Sequence, residues 1–158
     1  MALSGTRIPR WRQSTHPHTQ VRPFEILLVE DNPGDVRLTT EGLEAGGFSY
    51  HLNLARDGVE AFHLLKEGGD PAPDLILLDL NLPRRSGREL LSAIKRDDDL
   101  RHIPVVILST SSRESEVEDV YSLGANCYVT KPLTFDAYVR TVKAIEHFWF
   151  DIARLPGR

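Results

Sequence analysis

The sequence contains little cysteine and no long hydrophobic stretch. Cys127 is the single cysteine among 158 residues, which excludes an internal disulfide and favours a reducing, cytoplasmic location. No apolar run approaches the roughly 18–20 residues that a membrane-spanning helix needs. Apolar residues nevertheless make up 41% of the sequence and charged residues 27%, so we expect a globular domain with a core of its own and no membrane partner.

Positive charge is scarce beyond the first residues. The formal net charge is −4, yet residues 1–22 contain four arginines and no acidic residue. The rest of the chain is therefore acidic, which argues against a broad basic face for nucleic acid. Residues 1–22 are also rich in Ser, Thr, Pro and His and lack apolar periodicity, so we expect a disordered N-terminal tail. An arginine-rich targeting peptide is the less favoured alternative.

From residue 24 onward, five short apolar runs alternate with segments of helical character. Such runs are typical of parallel strands that are covered on both faces. Right-handed crossovers between five such units predict a flavodoxin-like, doubly wound α/β fold with strand order 2-1-3-4-5 and helices on both faces of the sheet. The predicted strands are Phe24–Val29, Tyr50–Ala55, Leu75–Leu80, Pro104–Leu108 and Ala125–Thr130.

Capping residues predict where several helices begin and end. The pair Asn32-Pro33 is a helix start, with a capping side chain followed by proline at the first helical position. The pair Gly46-Gly47 is a stop for the same helix. Ser111 or Ser112 is expected to cap the fourth helix. The last helix is expected from about Thr134 to Trp149.

Polar residues follow four of the five predicted strands. Glu30 and Asp31 come after the first strand, Asp79 ends the third, Ser109 follows the fourth and Lys131 follows the fifth. In an open parallel sheet the carboxyl ends of all strands lie on one edge, which is where ligands bind. We therefore expect three carboxylates, a hydroxyl and an ammonium group to converge there.

This combination of groups has a specific chemistry. Carboxylates held within several ångströms repel one another unless a cation is present, and Mg²⁺, which prefers oxygen ligands and retains water, fits best. Asp79 is then the candidate nucleophile. Lys131 and the Ser109 hydroxyl can each meet one oxygen of a transferred phosphoryl group, with the metal meeting the third.

Four motifs give residues 24–150 a resemblance to the receiver domains of two-component response regulators. Taken together the motifs are highly specific, whereas any one alone is weak. The resemblance implies a tail at 1–22, a receiver domain at 23–150 and a C-terminal tail at 151–158. The motifs are Ile-Leu-Leu-Val-Glu-Asp-Asn at 26–32, Asp-Leu-Ile-Leu-Leu-Asp-Leu-Asn-Leu-Pro at 74–83, Val-Val-Ile-Leu-Ser-Thr at 105–110 and Gly-Ala-Asn-Cys-Tyr-Val-Thr-Lys-Pro at 124–132.

The resemblance implies a role for each residue of the site. The metal ligands are expected to be Glu30, Asp31, Asp79 and the backbone carbonyl of Asn81. A sensor histidine kinase is expected to supply the phosphoryl group to Asp79. The protein then acts as an acceptor and switch rather than as an enzyme, apart from catalysing its own phosphorylation and dephosphorylation.

The resemblance also implies how the signal leaves the site. Ser109 corresponds to the hydroxyl of the family's switch, Tyr128 to its switch aromatic residue and Lys131 to its lysine. Tyr128 as an ordinary core aromatic is the alternative. The signal is expected to pass through a surface that binds a target protein, or through phosphoryl transfer to a downstream partner.

The last predicted helix carries an aromatic residue outside its core stripe. At the helical period of 100°, an apolar stripe is expected to face the sheet, and Phe148 falls beside it. Phe148 is therefore a candidate interface residue, and we expect a homodimer built on this helix. The ending Glu-His-Phe-Trp-Phe also resembles the stand-alone regulators paired with bacterial phytochromes. The stripe consists of Phe135, Tyr138, Val139, Val142, Ile145 and Trp149.

Two other function classes use a similar fold. A phosphatase of the haloacid dehalogenase type needs a second aspartate two residues after its nucleophile, and Asn81 stands there. A flavin-binding flavodoxin needs a phosphate-binding loop after the first strand, where Glu30 and Asp31 would repel phosphate. Turnover of a phosphate ester or absorbance near 450 nm would reveal either class.

Overall fold

Strands and helices alternate along residues 22–69 and 71–158, the part of the chain that the computed structural model describes. The predicted N-terminal tail, apart from Arg22, lies outside these residues. No helix within them is long and apolar enough to span a bilayer. The strands are β1 (Phe24–Val29), β2 (Tyr50–Ala55), β3 (Leu75–Asp79), β4 (Val105–Ser109) and β5 (Cys127–Thr130). The helices are α1 (Pro33–Gly46), α2 (Gly58–Glu67), α3 (Gly87–Arg96), α4 (Glu114–Ser122) and α5 (Phe135–His147), with a π-helical turn at Phe148–Ile152.

The sheet has the predicted architecture. Its five parallel strands follow the order β2-β1-β3-β4-β5, which confirms the α/β fold and the strand order. Every residue of β3 and β4 is buried, because hydrophobic clusters cover both faces of the sheet. One cluster includes Leu90, Ile94 and Val120 from α3 and α4, and the other includes Leu43 from α1 and Val142 from α5.

Helix termini agree with the sequence where a local hydrogen bond determines them. The Asn32 side chain accepts bonds from the backbone N–H groups of Gly34 and Asp35, at 2.8 and 3.1 Å. Gly47 ends α1 with a φ of 79°, a conformation that favours glycine. The capping prediction for α4 was wrong, because the helix begins at Glu114 without a side-chain cap. The Ser111 hydroxyl instead accepts a bond from the Arg113 N–H within the preceding loop.

The predicted apolar face of α5 holds in the middle of the helix and fails at both ends. Tyr138 and Val142 are buried as expected, but Phe135, the first residue of the helix, is 55% exposed. The chain changes to a π-helical turn at Phe148, which alters the period on which the predicted stripe depended. Phe150 is therefore buried, and its ring stacks on that of Phe24 with centroids 3.9 Å apart.

Residues 151–158, which were predicted as a C-terminal tail, contact the domain through Leu155 and Arg158. Leu155 is buried. The Arg158 guanidinium forms a salt bridge of 2.8 Å with Asp74 and donates to the backbone carbonyls of Arg22 and Pro23. These contacts join the two ends of the described chain at the amino edge of the sheet.

Glu146 is an acidic residue buried where α5 packs closely on α1. Its side chain has no hydrogen-bond partner within the described chain, and a Cβ at Gly46 would overlap its carboxylate. Burial raises the pKa of Glu146 to about 7, from an ordinary value of 4.5. The folded protein therefore retains a proton there that the unfolded chain has lost between these two values.

Because this pKa is raised on folding, the contribution of Glu146 to stability falls as pH rises from about 4.5 to 7, and is constant above that range. Glu146→Gln should remove the dependence. Between pH 4.5 and pH 8 the variant should gain about 2–3 kcal/mol in unfolding free energy relative to the parent, at about 1.4 kcal/mol per pKa unit. Urea unfolding at the two pH values measures this, with the exposed Glu44→Gln as the control. An equal difference at both pH values would contradict the assignment.

Candidate functional site

Glu30 and Asp31 lie where the chain turns from β1 into α1. Glu30 is 2% exposed, and its Oε1 accepts a bond of 3.1 Å from the backbone N–H of Asn32. Asp31 is exposed. The cap that begins α1 thus also fixes the Glu30 carboxylate, which brings one buried and one open acidic group to the carboxyl edge of the sheet.

Asp79 is the last residue of β3 and is 6% exposed. Its Oδ1 accepts a bond of 3.1 Å from the backbone N–H of Asn81. Helix α3 begins directly against this strand end, since a Cβ at Gly87 would lie 2.5 Å from the Asp79 carbonyl oxygen. Glycine at position 87 therefore permits the close packing that places the loop after β3 around the Asp79 carboxylate.

Ser109 and Lys131 complete the edge on the other side of Asp79. Ser109 is fully buried, and its hydroxyl oxygen accepts a bond of 3.2 Å from the Ser111 N–H. The hydroxyl hydrogen remains able to donate to a ligand. The backbone N–H of Lys131 donates to the Ser109 carbonyl at 2.7 Å, so the pairing of β4 with β5 fixes where the lysine leaves the sheet.

The Lys131 ammonium lies among carboxylates from three parts of the chain. Its Nζ is 2.8 Å from Glu30 Oε2, 2.8 Å from Asp35 Oδ2 and 3.3 Å from Asp79 Oδ2. Burial alone would lower the pKa of Lys131, but its bonds to Asp35 and Glu30 outweigh burial and raise the pKa above its usual value. Lys131 is therefore a fixed cation at this edge of the sheet.

Lys131 alone does not balance the negative charge of the acidic residues around it. Burial, together with the neighbouring Asp79 carboxylate, raises the pKa of Glu30 to about 7, although the bond from Lys131 acts in the opposite direction. One carboxylate oxygen from each of Glu30, Asp31 and Asp79 lies within 4.8 Å of the others. Closely spaced carboxylate oxygens suit a hard divalent cation such as Mg²⁺. The residues present therefore fit the predicted metal.

Asp35 is the site residue that the sequence analysis missed. It lies in the first turn of α1, outside the strand ends on which the prediction relied. A signal was available in the sequence, because the Asn32-Pro33 start places the first turn of α1 at the same edge as Glu30. An acidic residue in that turn can therefore reach the site.

Tyr128 extends from β5 toward the loop between β4 and α4. It is partly buried, and its ring packs against the hydrophobic cluster that contains Val120. Its hydroxyl donates a bond of 2.6 Å to the Ser111 carbonyl. The loop that follows Ser109 is thus connected directly to the aromatic residue predicted as the switch.

Phe148 lies far from this edge. It follows α5, a helix that runs from the carboxyl edge of the sheet back to the amino edge, and it is 47% exposed. Its ring makes an edge contact with Trp149 at 5.1 Å. Phe148 is therefore not part of the acidic site, and its predicted role is confined to the surface.

Two arginines of the loop between β3 and α3 attach that loop to α2. Arg84 has a positive φ of 63°, and its guanidinium lies 2.7 Å from the Asp57 carboxylate, which also caps α2. The Arg85 guanidinium lies over the ring of Phe62, 5.0 Å from its centroid. These contacts restrain the loop that carries Asn81.

Comparison with known proteins agrees with this geometry. The response regulator receiver domain family model matches residues 26–143. Response regulator Rcp1 of Synechocystis sp. is 44% identical over 139 residues, or 85% of this chain and 95% of Rcp1. The Mn(2+)-bound structure of Rcp1 has a TM-score of 0.80 and 44% identity, over 85% of this chain and 100% of that one. The phosphorylated cyanobacterial phytochrome response regulator RcpA has a TM-score of 0.82 and 44% identity, over 86% and 100% of the two chains.

The acidic cluster predicts a strong dependence of metal binding on Asp31. Asp31→Ala removes a charged oxygen ligand from an exposed position, so it should weaken Mg²⁺ binding by roughly tenfold or more with little effect on folding. Isothermal titration calorimetry measures the dissociation constant. Asp136→Asn, in the first turn of α5, removes a comparable exposed charge outside the cluster. Equal Mg²⁺ affinity of Asp31→Ala and the parent would show that the ion binds elsewhere.

Proposed function

The chain belongs to the response regulator receiver family, and from that membership we propose that Asp79 is the carboxylate that receives the phosphoryl group. A receiver domain is a phosphoryl acceptor and switch, and its partner is a histidine kinase. The position of Asp79 supports this assignment. It is a buried carboxylate at the end of the central strand β3, beside Lys131 and within reach of two further acidic residues.

The groups around Asp79 match the needs of phosphoryl transfer. A carboxylate oxygen of Asp79 attacks phosphorus, a P–O bond forms, and the P–N bond to the kinase histidine breaks. The Asn81 N–H, which donates to Asp79 Oδ1, orients the carboxylate for attack. Lys131 neutralises one phosphoryl oxygen and the Ser109 hydroxyl donates to another, so that fixed donors meet the charge that develops.

Glu30, Asp31, Asp79 and the backbone carbonyl of Asn81 would hold Mg²⁺. When bound, Mg²⁺ supplies positive charge that offsets the repulsion between these carboxylates and an incoming phosphoryl group. The same arrangement supports the regulator's own catalysis of phosphorylation and dephosphorylation. It does not suit the alternative phosphatase, because the Asn81 side chain has no acidic proton to give to a leaving group.

The switch follows from the contacts of the loop between β4 and α4. Movement of Ser109 toward the phosphoryl group displaces this loop. Tyr128, which donates to the Ser111 carbonyl, then changes position with it. The surface formed by α4, β5 and α5 is thereby altered, and it binds a downstream target or phosphotransfer partner.

The kinase that we propose is a phytochrome acting in the cytoplasm. RcpA is a cyanobacterial phytochrome response regulator, and it is similar to this chain over most of its length. The aromatic sequence Phe-Trp-Phe in the π-helical turn after α5 adds to this resemblance. A light-sensing histidine kinase is therefore the first partner to test.

A homodimer centred on the end of α5 is the second part of the proposal. Phe148 and Ile152 are large apolar residues with 47% and 62% of their surface exposed. They lie four residues apart in one π-helical turn and are the apolar patch on which we centre the dimer. The surface of α4, β5 and α5 also carries the basic Arg140 and Lys143 on α5 and acidic residues in the first turn of α4, so a symmetric pairing of this surface can match opposite charges.

The acceptor assignment predicts the result of one substitution. Asp79→Asn should abolish labelling by a histidine kinase or by acetyl phosphate with Mg²⁺, because an amide is a poor nucleophile. Radiolabelling or intact-protein mass spectrometry measures the phosphoryl group. Asp151→Asn, at the opposite edge of the sheet, should be labelled as fully as the parent. Acid-sensitive labelling that persists in Asp79→Asn would refute the assignment.

The dimer predicts a change of mass in solution. Phe148→Glu would place an unpaired charge in the apolar patch and should shift a micromolar dimer to monomer, while labelling of Asp79 stays unchanged. Sedimentation velocity measures the mass. Val59→Glu on α2 is the matched control, because Val59 has the same 47% exposure on another helix. A parent protein that sediments as a monomer with and without beryllofluoride would rule out the dimer.

A further inference from the structure

All three N–H donors of the Lys131 ammonium have a carboxylate within reach. Glu30 and Asp79, two of the three, belong to the acidic cluster that fits a metal. Asp35 does not, yet its Oδ2 is 2.8 Å from Nζ, nearer than the 3.3 Å of Asp79 Oδ2. An ammonium group has three donors and no more. A phosphoryl group on Asp79 replaces the contact of the Asp79 carboxylate with Lys131, and it must compete with Glu30 and Asp35 for the positive charge of the ammonium.

The position of Asp35 is fixed by the start of α1. Its backbone N–H donates to the Asn32 side chain, and Pro33 occupies the first helical position. A carboxylate in the first turn of a helix is also stabilised by the helix dipole. The contact with Lys131 thus comes from a rigid helical start.

Burial indicates which of these two competitors is displaced more readily. The Glu30 side chain is 2% exposed, whereas the Asp35 side chain is 25% exposed. A buried carboxylate that loses its cation is left uncompensated, at a large cost in free energy. Asp35 can instead regain water when the ammonium leaves, so its contact is the least costly to break.

We propose that Asp35 is a positioning residue that holds Lys131 in the unphosphorylated state and releases it to the phosphoryl group. This inference rests on the proposed function of Asp79. The contact between Asp35 and Lys131 stabilises the unphosphorylated state selectively, because it is broken in the phosphorylated one. Asp35 therefore competes with the phosphoryl group for the site's cation and lowers the affinity of the site for that group.

Beryllofluoride, which mimics the phosphoryl group on aspartate, tests this competition. With Mg²⁺ at saturation, Asp35→Asn should bind beryllofluoride about three- to tenfold more tightly than the parent, as expected for loss of one partly buried competing ion pair. Fluorine NMR measures the bound fraction directly. Mg²⁺ affinity, measured separately by calorimetry, should change by less than about threefold, because Asp35 is not a ligand.

Two further variants separate competition from other effects. Asp136→Asn removes an exposed acid from the first turn of α5 and should leave beryllofluoride affinity unchanged, which controls for net charge. Asp35→Ser removes both the charge and the reach to Lys131, and provides a second test if Asp35→Asn folds poorly. It should bind beryllofluoride at least as tightly as Asp35→Asn.

The outcomes distinguish this inference from the proposed function. Equal or weaker beryllofluoride binding by Asp35→Asn and Asp35→Ser, with a parent that binds normally, would overturn the role of Asp35 and leave Asp79 as the acceptor. An equal gain in Asp136→Asn would also overturn it, because net charge would then be the cause. A parent that does not bind beryllofluoride with Mg²⁺ would refute the proposed function and this inference together.

Discussion

The site depends on the buried ammonium of Lys131 among carboxylates at the carboxyl edge of the sheet. Without it, the Glu30 and Asp79 carboxylates would face each other in a nearly dry environment, where like charges are costly. Burial and the neighbouring Asp79 carboxylate raise the pKa of Glu30 in spite of its bond from Lys131. The carboxylates at this edge therefore favour the binding of a divalent cation. The cation and Lys131 together can then balance the negative charge of a phosphoryl group.

Parallel strand pairing brings these groups together. Asp79 aligns with Leu108 and Ser109 aligns with Thr130, so the ends of β3, β4 and β5 lie side by side. Helices on both faces bury the strands, and Gly87 lets α3 start against Asp79. The same fold places Tyr128 beside the loop that follows Ser109, so a change at the site can reach the surface without a large rearrangement of the core.

The sheet and most residues of the candidate site could be predicted from the sequence, because each strand and the polar residue at its end are visible in a short stretch of sequence. An apolar run identifies each strand, and the residue that follows it needs only the parallel topology to reach the edge. Asp35 was missed because its contact joins residues 96 positions apart and depends on the reach of the Lys131 side chain. The burial of Phe150 was missed because a π-helical turn changes the period. The fourth helix begins later than predicted, because the Ser111 hydroxyl accepts a hydrogen bond from the Arg113 N–H in the preceding loop and does not cap the helix.

We expect phosphorylation on the carboxylate of Asp79, which ends β3. The direct measurement is to phosphorylate the protein with acetyl phosphate and Mg²⁺, reduce the acyl phosphate with borohydride, and sequence the peptides by tandem mass spectrometry. Reduction converts a phosphorylated aspartate to homoserine. We predict homoserine at position 79 in the peptide that contains β3. Homoserine at Asp31 or Asp35 instead, with position 79 still aspartate, would contradict this assignment.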